Sequence, residues 1–271
     1  MKTKLIRSVL AAALACAAVP AFAQNANSPF SQTVFFGDSL SDGGFFRPLL
    51  PASVRPVTGQ FTTNPGYVWS QYLADYYGTS AAPNGNGQTG SNYAAGGARV
   101  GVNSTGALGP IPSLATQMNN YLTANGGRAD AHALYTVWGG ANDLFAITSG
   151  GANPTTTISS AVAAQIGIVG TLTQAGAQYI LVPTIPDIGL TPAFRAQGAT
   201  AQAQGTALTV SYNTALFNGL AASNLRVIPL DTFHFLQEVV ANPSAFGITN
   251  ITGTACQPQI TANSLTCNPT S

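Results

Sequence analysis

The feature of the 271-residue chain that most constrains its fold is an alternation of short apolar runs with longer segments of helical character. The apolar, β-rich runs cover residues 33–36, 134–138, 179–183 and 225–230, with a further short run at 91–94. The segments of helical character cover residues 68–77, 113–123, 158–176 and 206–222. Because strands that alternate with helices form a parallel sheet covered on both faces, the pattern predicts one doubly wound α/β domain of three layers, α/β/α, with about five parallel strands.

The first 23 residues are predicted to be a secretory signal peptide that is removed from a single domain at 24–271. Lys2, Lys4 and Arg7 precede a continuous apolar stretch, which ends in the small residues AFA. The sequence therefore predicts a chain that is secreted or placed in the periplasm or at the cell surface.

The charge of the remaining chain bears on its partners. Removal of the leader would leave six arginines, no lysine and eight acidic residues, a net charge of −2. A weakly acidic chain without lysine has no overall basic footprint for nucleic acid or anionic lipid. No later apolar run reaches the length needed to span a bilayer. The composition thus predicts neither a nucleic-acid partner nor a transmembrane segment, and it leaves the oligomeric state open.

The cysteines and histidines bear on redox state and metal binding. Cys256 and Cys267 lie near the C-terminus of a chain predicted to be exported, and an oxidising compartment favours a disulfide between them. His132 and His234 are the only histidines, and no CxxC motif is present. Because zinc sites draw on clustered His, Cys and carboxylate ligands, no metal site is predicted, and no organic cofactor is expected.

The first apolar run ends abruptly at a polar motif, GDSLSDGG, that covers residues 37–44. In doubly wound α/β proteins the carboxyl ends of the strands carry ligand-binding and catalytic groups. Ser39, which follows the first predicted strand, is therefore a candidate nucleophile. Taken alone, it is better explained as the N-cap of a helix.

Two further motifs follow the next two strand candidates. NYAAGGAR contains Asn92 and Gly97, and GGAND contains Asn142. Together with GDSLSD around Ser39, and in this order, they resemble the GDSL or SGNH family of serine esterases and lipases. The resemblance extends from about Thr33 to the C-terminus. It implies a flavodoxin-like SGNH hydrolase fold, hydrolysis of a carboxylic ester in a small ester or lipid substrate, and no cofactor.

The resemblance also implies roles for individual residues. Ser39 would attack the ester carbonyl, and the backbone N–H groups of Ser39 and Gly97 with the side-chain amide of Asn142 would form the oxyanion hole. Taken alone, Gly97 is better explained as a turn residue and Asn142 as an Asx turn, but the three motifs together, in family order, favour the catalytic roles. Asp38 and Asp42 could be paired catalytic carboxylates, but the resemblance places them in the scaffold of the serine motif, where they orient the loop.

The base that activates the serine has one candidate by elimination. The family supplies it from a DxxH motif near the C-terminus, and DTFH at residues 231–234 has that spacing. His132 precedes the third predicted strand, at the edge of the sheet away from Ser39. Asp231 and His234 are therefore candidate catalytic residues.

The sequence around DTFH favours a different interpretation. The following residues, FLQEVVANPSAFG, resemble the helix and loop that family members place upstream of their catalytic DxxHPT motif. In the larger bacterial relatives, including autotransporter esterases, a cysteine pair and NPT come next, as Cys256, Cys267 and NPTS do here. On this interpretation Asp231 is a helix N-cap, His234 is a first-turn residue, and the chain ends before the catalytic motif.

Three hypotheses for function follow from these observations. The first is a secreted serine hydrolase that cleaves carboxylic esters. The second is a fragment, binding or passenger domain that keeps the fold without a working Asp-His pair. The third is a flavodoxin-like nucleotide binder, which ranks far behind because neither GxGxxG nor GxxxxGK[ST] follows a strand.

A long irregular connection at residues 45–64 follows the serine motif. Long connections in compact domains are often lids or binding loops. The alternative is a flap whose apolar side chains pack onto the body. The apolar residues in question are Phe45, Phe46, Leu49, Leu50 and Val54.

Overall fold

The computed structural model of the chain describes residues 28–254 together with Leu265 and Cys267. The predicted signal peptide and Cys256 lie outside the described residues. The cleavage site and the Cys256–Cys267 disulfide therefore stay predictions.

The centre of the domain is a parallel sheet of four strands in the order β1-β2-β3-β4. The strands are β1 (Thr33–Gly37), β2 (Leu134–Trp138), β3 (Tyr179–Pro183) and β4 (Ile228–Leu230). Their positions match four of the five predicted runs. The fourth is shorter than predicted, and the central residue of its three, Pro229, cannot donate a ladder hydrogen bond.

The fifth predicted strand, at 91–94, lies beside β1 as a parallel bridge between Asn92 and Phe35. Backbone bonds join Phe35 N–H to Ser91 O at 3.1 Å and Tyr93 N–H to Phe35 O at 2.9 Å. The segment occupies the place of a fifth strand. The pairing continues with Ala95 N–H, which donates to Gly37 O at 3.1 Å, and a turn at residues 96–97 then ends the segment.

Seven helices are present in the described part of the chain, and they form the outer layers of an α/β/α sandwich. They are α1 (Trp69–Tyr76), α2 (Leu114–Ala124), α3 (Ala141–Thr148), α4 (Pro154–Ala175), α5 (Pro192–Arg195), α6 (Ala199–Ala222) and α7 (Thr232–Ala241). Local signals explain several ends. Ser113 and Asn153 cap α2 and α4 by accepting backbone N–H groups, and Gly176 ends α4 with a positive φ.

The alternation of side chains along β1 divides the core between the two faces of the sheet. Val34 and Phe36 enter the main core, which α2, α4 and α6 cover. Phe35 points to the other face and packs edge-on against Trp69 of α1, with ring centroids 5.8 Å apart. By length and composition alone, α4 is a candidate membrane span among the described residues. Its buried face, which includes Ile168, lies in the main core, and the absence of a transmembrane segment stays a prediction.

The connection at residues 45–64 combines features of both predicted alternatives. Its base packs onto the body: Phe45 and Phe46 are buried in a small cluster with Ala95. Residues 51–57, by contrast, are all exposed. The connection is therefore packed onto the domain at Phe45 and Phe46 and exposed to solvent at residues 51–57.

Candidate active site

The serine segment begins where β1 ends, and a buried glutamine fixes that end. The side-chain amide of Gln117, on α2, accepts from Gly37 N–H and donates to Gly37 O, each at 2.9 Å. It adds to the backbone pairing of this strand end, where Gly37 O also accepts from Ala95 N–H at 3.1 Å and Gly37 is in register with Trp138 of β2. The last residue of β1 is thus held before the chain turns toward Ser39.

Residues 38–42 form one tight turn. Asp38 O accepts from the N–H groups of Ser41 and Asp42, each at 3.0 Å, and Asp38 Oδ1 accepts from Leu40 N–H at 3.0 Å. Ser39 lies at the outer side of this turn and is partly exposed. Within the described part of the chain, its backbone N–H and its hydroxyl have no protein partner. The turn therefore leaves the backbone N–H and the hydroxyl of Ser39 available to a ligand, while the N–H groups of Leu40, Ser41 and Asp42 are hydrogen-bonded.

Asp42 ties the serine turn to the neighbouring loop. Its Oδ1 accepts from Gly44 N–H at 2.8 Å and Phe45 N–H at 2.6 Å, and its Oδ2 accepts from Gly96 N–H at 2.8 Å. The prediction that Asp38 and Asp42 orient the loop is confirmed by these bonds. Because Gly96 precedes Gly97, the same carboxylate also positions the predicted oxyanion donor.

Both carboxyl groups are buried, and burial dominates their titration. Loss of hydration raises the pKa of Asp38 to about 7 and the pKa of Asp42 to about 6. Backbone N–H donors oppose the shift at each site, with Leu40 acting on Asp38 and Phe45, Gly44 and Gly96 acting on Asp42. Because burial exists only in the folded protein, the pKa values of Asp38 and Asp42 differ between the folded and the unfolded chain.

The serine turn is also held from the α1 side of the sheet. Ser41 Oγ accepts from Trp69 Nε1–H at 3.0 Å. Ser41 O accepts from Ser70 Oγ at 2.9 Å and from Asn92 Nδ2 at 2.8 Å. Asn92, the polar residue of the second motif, thus binds the serine turn and does not face solvent.

Gly97 and Asn142 lie on the two loops that flank the serine turn. Gly97 has φ +81°, a left-handed conformation that favours glycine. Its backbone N–H, like that of Ser39, has no protein acceptor among the described residues, whereas Ala98 N–H donates to Ala95 O. Asn142 Nδ2 donates one hydrogen bond to Ala98 O at 3.0 Å. The amide carries a second N–H, so Asn142 is placed beside Gly97 with one donor to spare.

An ion pair fixes this Gly97–Asn142 region. Asp143 accepts from Arg99 Nε at 2.9 Å and from Val100 N–H at 3.0 Å. Burial raises the pKa of Asp143 above its ordinary range, although both donors oppose that shift. Asp143 thus joins the loop after Gly97 to the first turn of α3, which carries Asn142.

Asp231 and His234 lie at the other end of the sheet, after β4. Asp231 caps α7 by accepting from His234 N–H at 3.0 Å, which confirms the predicted N-cap. Its other oxygen lies 2.6 Å from His234 Nδ1. Partial burial raises the pKa of Asp231, but the hydrogen bonds and charge of His234 outweigh it and leave the pKa below its ordinary value.

The pair has the internal geometry of a catalytic carboxylate and imidazole, but its surroundings differ from those of Ser39. Both side chains are mostly exposed, 72% for His234 and 57% for Asp231. His234 borders a groove of about 320 Å³ that Thr184 and Phe217 also line, and no residue of the serine turn lines it.

Strand order gives the separation. Ser39 follows β1 and His234 follows β4, so three inter-strand spacings, roughly 14 Å, separate the strand ends. A hydrogen bond spans about 3 Å. The geometry favours the capping role for this pair, and a catalytic role for it is not supported by any contact to the serine turn within the described residues.

Two residues whose hydrogen bonds position the site, Gln117 and Asp143, were not identified from the sequence. Gln117 lies on the buried face of α2 with Leu114, Met118 and Tyr121, so a polar residue in an apolar stripe of helical period was its signal. Asp143 follows Asn142 directly in GGAND and lies in the first turn of α3, a helix that the sequence analysis did not predict. In the described part of the chain, no three His, Cys, Asp or Glu side chains form a cluster that could hold a metal ion.

The fold and the site define a class: an α/β/α domain that presents an exposed serine after its first strand, with free N–H donors beside it. The chain belongs to the GDSL-like lipase/acylhydrolase family, whose family model matches residues 33–257.

Two curated relatives are similar over nearly the whole chain. An uncharacterised protein of the trpE-trpG intergenic region of Pseudomonas putida is 33% identical over 279 residues, which cover 93% of this chain and 44% of the relative. Esterase EstA of Pseudomonas aeruginosa is 32% identical over 296 residues, which cover 96% of this chain and 44% of the relative. The chain thus spans less than half the length of these two relatives.

A solved member of the lipolytic G-D-S-L family from Veillonella parvula aligns with 77% of this chain and 81% of its own, at 14% identity and a TM-score of 0.44.

Proposed function

We propose that the chain is the nucleophile-bearing domain of an exported serine hydrolase that cleaves carboxylic esters. The observation that carries the proposal is the pair of backbone N–H groups at Ser39 and Gly97 that lack a protein acceptor among the described residues, whereas the N–H groups of Leu40, Gly96 and Ala98 are bonded. Buried or partly buried N–H groups without partners are rare in folded proteins, and a developing oxyanion is an acceptor that would satisfy both. Asn142 supplies the third donor.

The proposed reaction follows from this geometry. Ser39 Oγ attacks the ester carbonyl carbon as its proton passes to a base, and the carbonyl oxygen becomes an oxyanion held by Ser39 N–H, Gly97 N–H and Asn142 Nδ2. The tetrahedral intermediate then expels the alcohol, which takes up the proton. Water attacks the resulting acyl-serine in the same way and releases the carboxylic acid.

The base is the one component that this geometry does not place beside Ser39. His132 precedes β2, at the amino ends of the strands, whereas Ser39 follows β1 at their carboxyl ends, and His234 lies in the first turn of α7, after β4. In the proposed mechanism the proton acceptor is therefore a group that the described residues do not hold beside Ser39. A histidine with a carboxylate partner fits the requirement, because it has a pKa near neutrality.

A second candidate function is a binding domain that keeps the fold and the donor set without hydrolysis. The observation that favours it is the exposure of the Asp231–His234 pair and its distance from the serine turn. A substrate carbonyl could bind to the same donors without being cleaved.

An active-site-directed fluorophosphonate distinguishes these candidates. We would treat this chain, the protein as its gene encodes it, and the Ser39→Ala variant of each with the probe, and locate the label by peptide mass spectrometry. The hydrolase proposal predicts label on Ser39 in the gene-encoded protein, with much slower labelling in residues 1–271 alone. No label on Ser39 in either form would support the binding domain instead.

A further inference from the structure

A short hairpin that precedes α2 packs against the proposed oxyanion donor. Its two strands, Ser104–Gly106 and Gly109–Ile111, pair in antiparallel fashion. The side chain of Ile111 lies against Gly97, because a Cβ at Gly97 would be 3.2 Å from Ile111 Cδ1. The same methyl group would be 3.1 Å from a Cβ at Gly106. Ile111 is therefore held between its own hairpin and the backbone of Gly97.

A second apolar side chain covers the residue before Gly97. A Cβ at Gly96 would be only 2.1 Å from the ring of Phe61, so glycine is needed there to leave room for the ring. The N–H of Gly96 is bonded to Asp42, so this backbone cannot move away without losing that bond. The two glycines of the second motif thus lie against two apolar side chains, Phe61 and Ile111.

Phe61 and Ile111 belong to one apolar surface. Together with Leu108, at the turn of the hairpin, they pack against a small buried cluster. The cluster consists of Phe45, Phe46, Ala95 and Leu265. We call Phe61, Leu108 and Ile111 the apolar wall. All three are partly exposed, whereas the cluster beneath them is buried, so the wall has apolar surface left for a ligand.

The apolar wall carries no charge of its own. The hairpin and the residues around it, 100–127, contain no charged side chain. Charged side chains on the adjoining segments are already bonded within the protein. They are Asp42, Arg47, Arg55, Arg99 and Asp143. An uncharged ligand is therefore favoured, since a charged group would lose hydration against the wall without gaining a partner.

We propose that the apolar wall holds the acyl chain of the ester, so that Phe61, Leu108 and Ile111 determine acyl specificity. A carbonyl oxygen bound to Gly97 N–H lies about 2.9 Å from that nitrogen. The acyl chain then begins within a few ångströms of Gly97, close to the side chain of Ile111 that packs on it. The inference rests on the proposed hydrolase function and names its substrate class.

The order of the chemical steps assigns the wall to the acyl group and not to the alcohol. The alcohol leaves in the first step, whereas the acyl carbonyl must bind the same donors again when water attacks the acyl-serine. A side chain fixed beside one of those donors can act in both steps only through the acyl group. The expected substrates are esters of uncharged acids of several carbons, preferred over acetates.

The dependence of kcat/KM on acyl length tests the assignment in the protein as its gene encodes it. The substrates are p-nitrophenyl acetate, butyrate and hexanoate, which share one leaving group. Because each buried methylene contributes up to about fourfold, hexanoate should be preferred over acetate at least about tenfold. The matched variants are Ile111→Ala in the wall and Ile166→Ala on α4, since both isoleucines are partly buried and pack against the main core.

Ile111→Ala should lower the hexanoate-to-acetate ratio of kcat/KM at least about fivefold, whereas Ile166→Ala should leave it within about twofold. Leu108→Ser and Leu208→Ser form a second matched pair, with a decrease of about threefold expected only for Leu108→Ser. The ratio is measured with both esters on one sample, so the folded fraction cancels. Thermal unfolding reports any loss of stability separately.

A binding measurement separates the apolar wall from catalysis. In the Ser39→Ala protein, calorimetric titration with hexanoate and with acetate compares two carboxylates that differ only in chain length. Hexanoate should bind at least about tenfold more tightly, and adding Ile111→Ala should remove most of that difference.

Ester hydrolysis with the same hexanoate-to-acetate ratio in the Ile111→Ala and Ile166→Ala proteins would overturn the assignment and leave the proposed function intact. An effect of Ile111→Ala confined to the alcohol length, across ethyl, butyl and hexyl acetates, would also overturn it, since the wall would then hold the alcohol. Tighter binding of hexanoate that depends on Ile111, without hydrolysis by the unsubstituted protein, would contradict the hydrolase function and leave the wall as an acyl-binding surface. Equal binding of both carboxylates together with no hydrolysis would refute both.

Discussion

Two aspartate-containing turns follow the first and the last strand of the sheet, and they differ in almost every physical respect. Asp42, after β1, is fully buried and accepts three backbone N–H bonds that join two loops. Asp231, after β4, is mostly exposed, and among the described residues its carboxylate accepts from the first turn of its own helix, chiefly from His234. The comparison teaches that the short-range geometry of a polar pair does not identify a reactive site. What distinguishes the serine turn is a buried network that leaves selected donors free.

The largest expected effect concerns the nucleophile on the β1 side. In the protein as its gene encodes it, Ser39→Ala should reduce hydrolysis of a short p-nitrophenyl ester roughly 10⁶-fold, because no other group can form the acyl intermediate. Ser211→Ala, in an exposed position on α6, is the control and should have no effect. Activity retained in the Ser39→Ala protein would remove the main functional distinction between the two turns.

A smaller effect is expected for the side-chain donor beside Gly97. Asn142→Ala should lower kcat about 10²-fold to 10³-fold with little change in KM, because its second N–H acts on the oxyanion and not on the ground-state carbonyl. Steady-state kinetics on the same ester measure this. A change confined to KM would mean that Asn142 only binds substrate.

The buried carboxylates of the β1 turn should make stability depend on pH. The native pKa of Asp38 is about 7, above its unfolded value, so the folded state binds the proton more tightly. Its stabilising contribution is therefore full below the unfolded pKa and is lost as pH rises. Urea unfolding should show the free energy of unfolding falling by up to about 1.4 kcal/mol per pH unit between roughly 4 and 7.

Asp38→Asn isolates this contribution from those of other groups, because the amide oxygen can still accept from Leu40 N–H. The slope should become shallower in this variant. A slope equal to that of the unsubstituted protein would show that Asp38 titrates normally despite its burial.

The smallest effects are expected on the β4 side. Asp231→Ala should lower the free energy of unfolding by about 1 kcal/mol, as loss of an N-cap does, and His234→Ala should change it less. Neither should change ester hydrolysis by the gene-encoded protein by more than about twofold. A collapse of kcat in His234→Ala would show that this histidine reaches Ser39 in the working enzyme and would reverse the comparison of the two turns.

Much of the fold could be predicted because it depends on neighbours along the chain. The runs at 33–36, 134–138 and 179–183 were placed nearly to the residue, since a buried parallel strand is a continuous apolar run. The segment at 91–94 was predicted as a strand but forms only a bridge. Its pairing with β1 ends at a turn at residues 96–97, which the apolar pattern of 91–94 does not contain.

The candidate site was only partly predictable. Ser39, Gly97 and Asn142 could be named from motifs, but Gln117 could not, because its partner Gly37 lies eighty residues away in sequence. Asp231 shows the opposite case, since a cap depends on the next three residues. Hydrogen bonds between residues close in sequence can thus be predicted from the sequence, whereas those between distant residues cannot.

The sequence by itself determined the α/β/α layering, the order of the three motifs and the identity of the serine that follows the first strand. Only the tertiary structure decided which aspartates are buried, which N–H groups are left free, and which apolar side chains of the long connection face solvent. The physical reason is that strand and helix periodicity are set by adjacent residues, whereas burial and distance are set by packing between segments far apart in the chain. Phe46 and Leu49, three residues apart in one loop, are buried and exposed for that reason alone.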